Sequence, residues 1–149
     1  MRVEPIVSSL PAGFAELRQE AAAEGFIHID RLWDEWQDGS NRFSKPGERL
    51  LAAWDGETLA GLGGVTEDFD VVGGLRMRRC YIRPQYRRAG VGRLLATALL
   101  AEIVPLERSI VLHAPYPTSA VFWEAMGFVR VDRQQHTHML PAREGQSRA

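Results

Sequence analysis

Tyr81-Ile82-Arg83-Pro84-Gln85-Tyr86-Arg87-Arg88-Ala89-Gly90-Val91-Gly92-Arg93-Leu94-Leu95 joins a predicted strand, Met77 to Arg83, to a predicted helix that runs to about Ile103. The helix rests on Val91, Leu94, Leu95, Ala98 and Leu99, which fall at i, i+3, i+4, i+7 and i+8 and form one apolar stripe. Its first turn is unusual. No Ser, Thr, Asp or Asn stands where a capping side chain takes up the first amides; Ala89, Gly90, Val91 and Gly92 stand there instead. Glycines at a strand-to-helix turn let the backbone approach a ligand, and the helix start offers unpaired N–H groups and the positive end of the dipole. Such a turn is a seat for phosphate or, alternatively, a plain connector. Charge-assisted hydrogen bonds contribute about 1.5–3 kcal/mol each, so three or four amides with an arginine approach the roughly 8 kcal/mol of a micromolar ligand.

Two common phosphate motifs are excluded by inspection. A Rossmann fingerprint needs a small residue three positions after the second of its paired glycines, where this chain has Leu95. A P-loop needs Gly-Lys-Ser/Thr, and the only lysine is Lys45, far upstream.

The stretch from Tyr81 to Leu95 resembles the acyl-CoA pyrophosphate loop of the GNAT acyltransferase superfamily, Q/R-x-x-G-x-G/A, which directly follows a strand ending in an aromatic, an aliphatic and x-Pro. Phe122-Trp123-Glu124-Ala125-Met126-Gly127-Phe128 resembles that superfamily's second landmark, an aromatic-rich helix ending in Gly-Phe before the last strands. Upstream, Asp34-Glu35-Trp36 through Asn41-Arg42-Phe43, Pro46-Gly47-Glu48 and Gly61 to Gly64 are similar to a subgroup of bacterial members, so the resemblance spans the chain. It implies an acetyl-CoA-dependent N-acetyltransferase that acts on a primary amine of a small molecule or protein by direct attack in a ternary complex. For the cofactor it implies Tyr81, Ile82, Arg87, Arg88, Ala89, Gly90, Val91, Gly92, Arg93 and Trp123, with the backbone N–H near Ile82 holding the thioester oxygen.

Composition sets wider bounds. The chain has 149 residues, 45% hydrophobic and 25% charged, which suits one ordinary globular domain over residues 1–141 with a flexible tail at 142–149. A single cysteine, Cys80, excludes an internal disulfide, and neither a signal-peptide pattern nor a long apolar run is present, so a cytoplasmic protein without a membrane partner is expected. Net charge is −1, yet residues 1–40 carry eight acids against three arginines while 76–93 carry seven arginines and no acid. An RNA-facing patch is one reading of the basic segment. A cofactor site is the other, and no stacking aromatics repeat among these arginines, so no nucleic-acid partner is expected.

Read along the chain, Arg2 to Val7 is a strand, Pro11 to Glu24 a helix, and His28 to Gln37 a second helix with Ile29, Leu32, Trp33 and Trp36 on one face. Strands at Leu50–Trp54 and Leu59–Thr66 flank an Asp55-Gly56-Glu57 turn. After Met77–Arg83 and its helix come a strand at Ile110–His113, a helix at Thr118–Met126, and a strand pair near 128–132 and 136–140. This order predicts an α+β (mixed α/β) fold with the Met77 and Ile110 strands parallel. The resemblance adds a mixed, mostly antiparallel twisted sheet of six to seven strands with about four helices, and a splay between those two strands that admits the pantetheine arm. It also makes the 128–140 hairpin a candidate homodimer interface.

Acyl transfer to an amine needs a neutral amine, a stabilised oxyanion and a tolerated thiolate. Glu67, after the Leu59–Thr66 strand, is the candidate base; the alternative is a solvated acidic turn with Asp68 and Asp70. Family members often carry a glutamate where this chain has Arg76, which moves the base elsewhere or points to an acceptor with negative charge. They often carry a tyrosine where this chain has Trp123, a hydrogen-bond donor too weak to deliver a proton. His113 and Tyr116 are the substitutes, and catalysis by positioning alone is the other option. With Arg76 as a substrate-binding candidate, the resemblance implies that Asn41, Arg42 and Phe43 would flank the acceptor opening. Cys80 reads as a buried hydrophobe, and His136 with His138 lacks a third ligand, so no metal is expected. A non-catalytic CoA-binding or sensing domain is the competing function.

Overall fold

The computed structural model describes residues 1–142. Of the expected tail, all but Ala142 lies outside the described residues. The elements are β1 (Arg2–Pro5), α1 (Phe14–Ala23), α2 (His28–Asp38), β2 (Arg49–Asp55), β3 (Thr58–Glu67), β4 (Leu75–Ile82), α3 (Val91–Ile103), β5 (Ile110–Leu112), α4 (Pro117–Ala125), β6 (Val129–Arg130) and β7 (His138–Leu140), with 3₁₀ turns at Pro84–Tyr86 and Val104–Leu106. They build one sheet in the order β1-β2-β3-β4-β5-β7-β6, antiparallel everywhere except between β4 and β5. Seven strands and four α-helices in a mixed, mostly antiparallel arrangement match the expected fold class.

Local differences have local causes. α1 begins three residues later than expected because Gly13 (φ 88°) turns the chain, with the Phe14 N–H donating to Pro11 O. β1 ends at Pro5, although the Ile6 N–H still donates to Leu50 O at 2.8 Å; the Pro5 nitrogen, which has no hydrogen, is turned to the free edge of the sheet. The terminal pair is shorter than expected, and β7 lies between β5 and β6. On α3 the buried stripe is turned from the expected one: Leu94 is 40% exposed, and Val91, Leu95, Ala96, Leu99, Leu100 and Ile103 face the sheet.

Two apolar layers sandwich the sheet. One packs α3 and Trp123 of α4 against Leu51, Ala53, Ala60, Val65, Leu75 and Met77; the other packs α1 and α2 against Leu50, Ala52, Leu59, Leu62 and Tyr81. Strand alternation therefore assigns a face to each β4 side chain from Leu75 to Arg78. Met77 points to α3, and its neighbours Arg76 and Arg78 point to the α2 side.

Two irregularities shape β4. Leu62 pairs with Tyr81 and Gly64 with Arg78, so Arg79 and Cys80 together oppose Gly63, and Arg79 takes a left-handed φ of 61°. This is a β-bulge, which bends the strand and re-aims its side chains. The second is a splay: β4 and β5 share only the pairs Leu75↔Ile110 and Arg76↔Val111. Beyond Arg76 the β5-facing edge of β4 is open.

Candidate active site

The open edge carries unspent backbone groups. The Arg83 N–H donates to Ala60 O at 2.9 Å, so alternation turns the Ile82 N–H the other way, towards the gap beside β5. Past Ile82 a 3₁₀ turn at Pro84–Tyr86 leads into the loop, where Arg88 (φ 64°) and Gly90 (φ 80°) each turn the chain left-handed. Gly90 is the N-cap of α3 and supplies no side-chain hydrogen bond; its carbonyl accepts from Leu94 N–H at 3.0 Å. The N–H groups of Val91, Gly92 and Arg93 therefore have no partner within the helix. At Gly92 the missing side chain faces Ile82 Cγ1 and the Phe122 ring, each 3.6 Å from where a Cβ would stand. The helix start, Ile82 and α4 thus meet at one place, and that place is competent to hold an anion and a carbonyl oxygen together.

The arginines of the loop divide. Arg88 and Arg93 are exposed beside the helix start. Arg87 turns back instead, with Nε donating to Ile82 O at 3.0 Å, Nη2 on Glu24 at 2.8 Å, and its guanidinium over the Tyr81 ring at 5.4 Å. Tyr81 is buried with its hydroxyl donating to Glu24 at 3.4 Å. Burial, with Glu24 beside it, pushes its phenol pKa up to about 12. Trp123 is 9% exposed in the core, edge-on to Phe122 and Phe128, and Phe122 is the aromatic that reaches the loop.

Of the candidates for proton transfer, His113 directly follows β5, whose pairing with β4 ends at Val111, and Tyr116 is the N-cap of α4; both side chains are exposed. The end of β5 is fixed by the Ala114 N–H donating to Thr137 Oγ1 at 2.8 Å. The Thr137 hydroxyl and Glu124 sit on the two ring nitrogens of the fully buried His138, each at 2.8 Å. Glu67 does not reach this place. It lies six positions along β3 from Gly61, the partner of Ile82, about 20 Å at strand rise. It also shares the parity of Val65, the α3 side, and its N–H is held by Glu48 Oε2 at 2.9 Å.

His28 is the titratable group that sequence reasoning missed. It opens α2 and points Nε2 at the Cys80 carbonyl, 3.3 Å away, inside the bulge. Burial holds its pKa below the ordinary value, opposed by the Cys80 carbonyl and reinforced by the Arg79 charge. Only its place at the start of an amphipathic helix marked it in the sequence, because the contact spans fifty-two positions.

On the α2 side the acceptor candidates assemble. Asn41 Oδ1 accepts from Phe43 N–H at 3.0 Å, while Glu35 lies 3.5 Å from Asn41 Nδ2 and 3.0 Å from Arg79 Nη2. Phe43 covers Gly64, where a Cβ would stand 2.6 Å from its ring, and Arg42 is exposed over Trp36. Arg76 pairs with Asp68 at 3.3 Å and donates to Gln135 O at 2.7 Å.

No curated protein is detectably similar in sequence. Among solved structures, a candidate acetyltransferase from Exiguobacterium sp. 255-15 superposes with a TM-score of 0.85 at 22% identity, over 94% of this chain and 92% of that one. A phosphinothricin acetyltransferase from Sinorhizobium meliloti, in complex with AcCoA, gives 0.69 at 15% identity over 98% and 90%. The N-acetyltransferase YlbP from Bacillus subtilis, in complex with coenzyme A, gives 0.63 at 17% over 96% and 97%. These likenesses concern the fold. The sequence profile of the acetyltransferase (GNAT) domain matches residues 15–142, from within α1 to past β7 and so across the loop and the splay, and on that match the chain belongs to the GNAT acetyltransferase family.

Proposed function

We propose that the protein is an N-acetyltransferase that moves an acetyl group from acetyl-CoA to a primary amine of a small molecule or protein, in the cytoplasm. The observation that carries the reading is the pairing of an uncapped α3 start with an unspent Ile82 N–H at the mouth of the β4–β5 gap. When bound, acetyl-CoA supplies the activated acyl group.

The chain's own groups divide the remaining tasks. The amides of Val91, Gly92 and Arg93, with the exposed Arg88 and Arg93 charges, hold pyrophosphate. The free strand edge of β4 receives the amides of the pantetheine arm, and the Ile82 N–H steadies oxygen charge at the reacting carbonyl. The amine approaches from the α2 side, past Asn41, Arg42 and Phe43, to attack directly in a ternary complex. We assign acceptance of its proton to His28: Nε2–H donates to the Cys80 carbonyl, which leaves Nδ1 as the basic nitrogen, and burial favours the neutral ring, whereas Glu67 lies a strand's length away. His113, which follows the end of β5, and Tyr116, the N-cap of α4, are the candidates to donate to the departing sulfur.

Thermal unfolding with acetyl-CoA tests the reading. At 100 times its Kd the cofactor adds about 2.7 kcal/mol, which raises Tm by roughly 5–10 °C for a chain of this size. Release of free thiol with an amine panel tests turnover. No stabilisation at millimolar acetyl-CoA overturns the proposal. Stabilisation without thiol release replaces it with a CoA-sensing domain, a reading favoured by Arg76, which stands where the family often has a carboxylate.

A further inference from the structure

We propose that the amine acceptor also carries a carboxylate, and that Arg78 binds it. The inference rests on the acetyltransferase reading above and names the substrate class for the same site.

The seven arginines between positions 76 and 93 have no acid among them in sequence, yet four are neutralised in the fold. Arg76 pairs with Asp68, Arg79 with Glu35, Arg83 with Glu20 and Arg87 with Glu24, at 3.3, 3.0, 2.7 and 2.8 Å. Arg88 and Arg93 are exposed at the loop. Arg76, Arg78 and Arg79 are all partly buried, and of these Arg78 alone has no carboxylate paired with it among the described residues. Its Nε is shut off from solvent with no hydrogen-bond partner among the described residues. Burial first, then the like charges of Arg79 and Arg76, push its pKa down. A desolvated cation between two already committed arginines is costly unless something else supplies the counter-charge.

His136 gives an independent sign on the same side of β4. It is 3% exposed, and both ring nitrogens are buried without a partner among the described residues. The turn that carries it is drawn to β4 by the bond from Arg76 to Gln135 O, and Asp68 and Arg76 lie within its electrostatic reach. Unpartnered polar groups this buried are uncommon in a finished fold. Here Arg78 Nε, Arg79 Nε and His136 are all such groups beside one segment of β4, and Gly64, cross-strand from Arg78, lies under the Phe43 ring.

Charge and distance narrow the ligand. With Arg76 and Arg79 already paired, one positive charge is left over, which matches a monoanion; the planar guanidinium fork matches a carboxylate. Ile82 is four positions further along β4, about 13 Å of strand less the bulge. An acceptor that spans from Arg78 to the thioester therefore separates its amine and carboxylate by several methylenes, unlike an α-amino acid.

The test uses the full chain loaded with coenzyme A and two probes that differ in one group, 6-aminohexanoate and hexylamine, read by thermal unfolding. The carboxylate probe is expected to stabilise beyond CoA alone, and hexylamine is not. Arg78→Gln is expected to weaken the 6-aminohexanoate Kd about tenfold, the loss of a charge-assisted bond, with R78K recovering only part of it, because lysine keeps the charge but not the fork, and the CoA shift unchanged in both. Ligand-free R78Q is expected to unfold no lower than wild type, because it loses an unpaired charge. Equal response to the two probes overturns the proposal, as does an unchanged Kd in R78Q or a lowered ligand-free Tm, which makes Arg78 a structural residue. No carboxylate response in a protein that CoA does stabilise also overturns it while sparing the enzyme reading; absence of a CoA shift removes both.

Discussion

The pairing of Glu20 with Arg83 fixes the end of β4 next to Ile82, and its removal by Glu20→Gln has a calculable cost. Arg83 has a side chain only 8% exposed, and it donates Nε and Nη2 to the two Glu20 oxygens at 3.0 and 2.7 Å and Nη1 to Leu59 O at 2.9 Å. Each charge-assisted bond is worth about 1.5–3 kcal/mol, and glutamine keeps one neutral acceptor worth about 1 kcal/mol. Glu20 is itself 30% exposed, so water screens part of the loss. The net is about 2–3 kcal/mol, a fall in Tm of roughly 4–10 °C at pH 7. The bond from Arg83 holds the Glu20 pKa below the ordinary carboxylate value, against burial, which raises it. A depressed folded-state pKa means stability that is present above the unfolded value, about 4.3, and lost as pH falls through the folded value. The gap between wild type and E20Q should therefore close in acid, because a protonated Glu20 resembles glutamine. Urea unfolding at pH 7 and at several acidic pH values measures it. Equal stability at pH 7, or a gap that persists once the carboxylate is protonated, refutes the reasoning.

Other outcomes follow from the same geometry. His28→Gln should lower kcat/KM about 100-fold with acetyl-CoA affinity intact; the acid limb of the wild-type profile should fall below pH 6.5, the ordinary imidazole value, because the base works neutral and burial lowers its pKa. A limb at or above that value, or an H28Q variant with full activity, removes His28 from catalysis. Gly61→Ala places a Cβ 2.6 Å from Ile82 Cδ1 and 2.8 Å from Tyr81 O, so calorimetry should show a loss of about 1–3 kcal/mol, with weaker acetyl-CoA binding. Thr137→Val leaves the Ala114 N–H without its acceptor and should cost about 1–3 kcal/mol in chemical denaturation; an unchanged midpoint denies the bond its role. The Cys80 thiol, pushed up to about 12 by burial, should resist alkylation at pH 8 until the chain unfolds, and rapid native labelling contradicts the packing of Sγ beside Gly63 and Leu95.

Features written in contiguous residues were legible in the sequence. The run from Tyr81 to Leu95 carries strand, turn and helix in one stretch, and its missing cap can be read without coordinates. The pairing of β4 with β5 followed from the intervening helix, but the splay came from the family resemblance, since no residue announces where a parallel ladder stops. Glu67 misled because it is close in sequence to β4 and yet six strand positions, about 20 Å, from Gly61, the partner of Ile82. The charge asymmetry was visible but its meaning was not: the surplus acids of the first forty residues meet the arginines of β4 and the loop, as Glu20, Glu24 and Glu35 show. His28 and the Arg79 bulge depend on contacts between distant segments, which local pattern does not encode.

The sheet's single parallel junction has a mechanical consequence. β1–β4 form one leaf and β5–β7–β6 another, sewn together by two residue pairs at one end. The far ends stand apart like an unstitched seam. A molecule lying between the leaves and bonding to both would close that seam and stiffen strands it never touches. Slower amide exchange in β6 and β7 on loading would report this, and the bound cofactor would then be part of the architecture as well as a reactant.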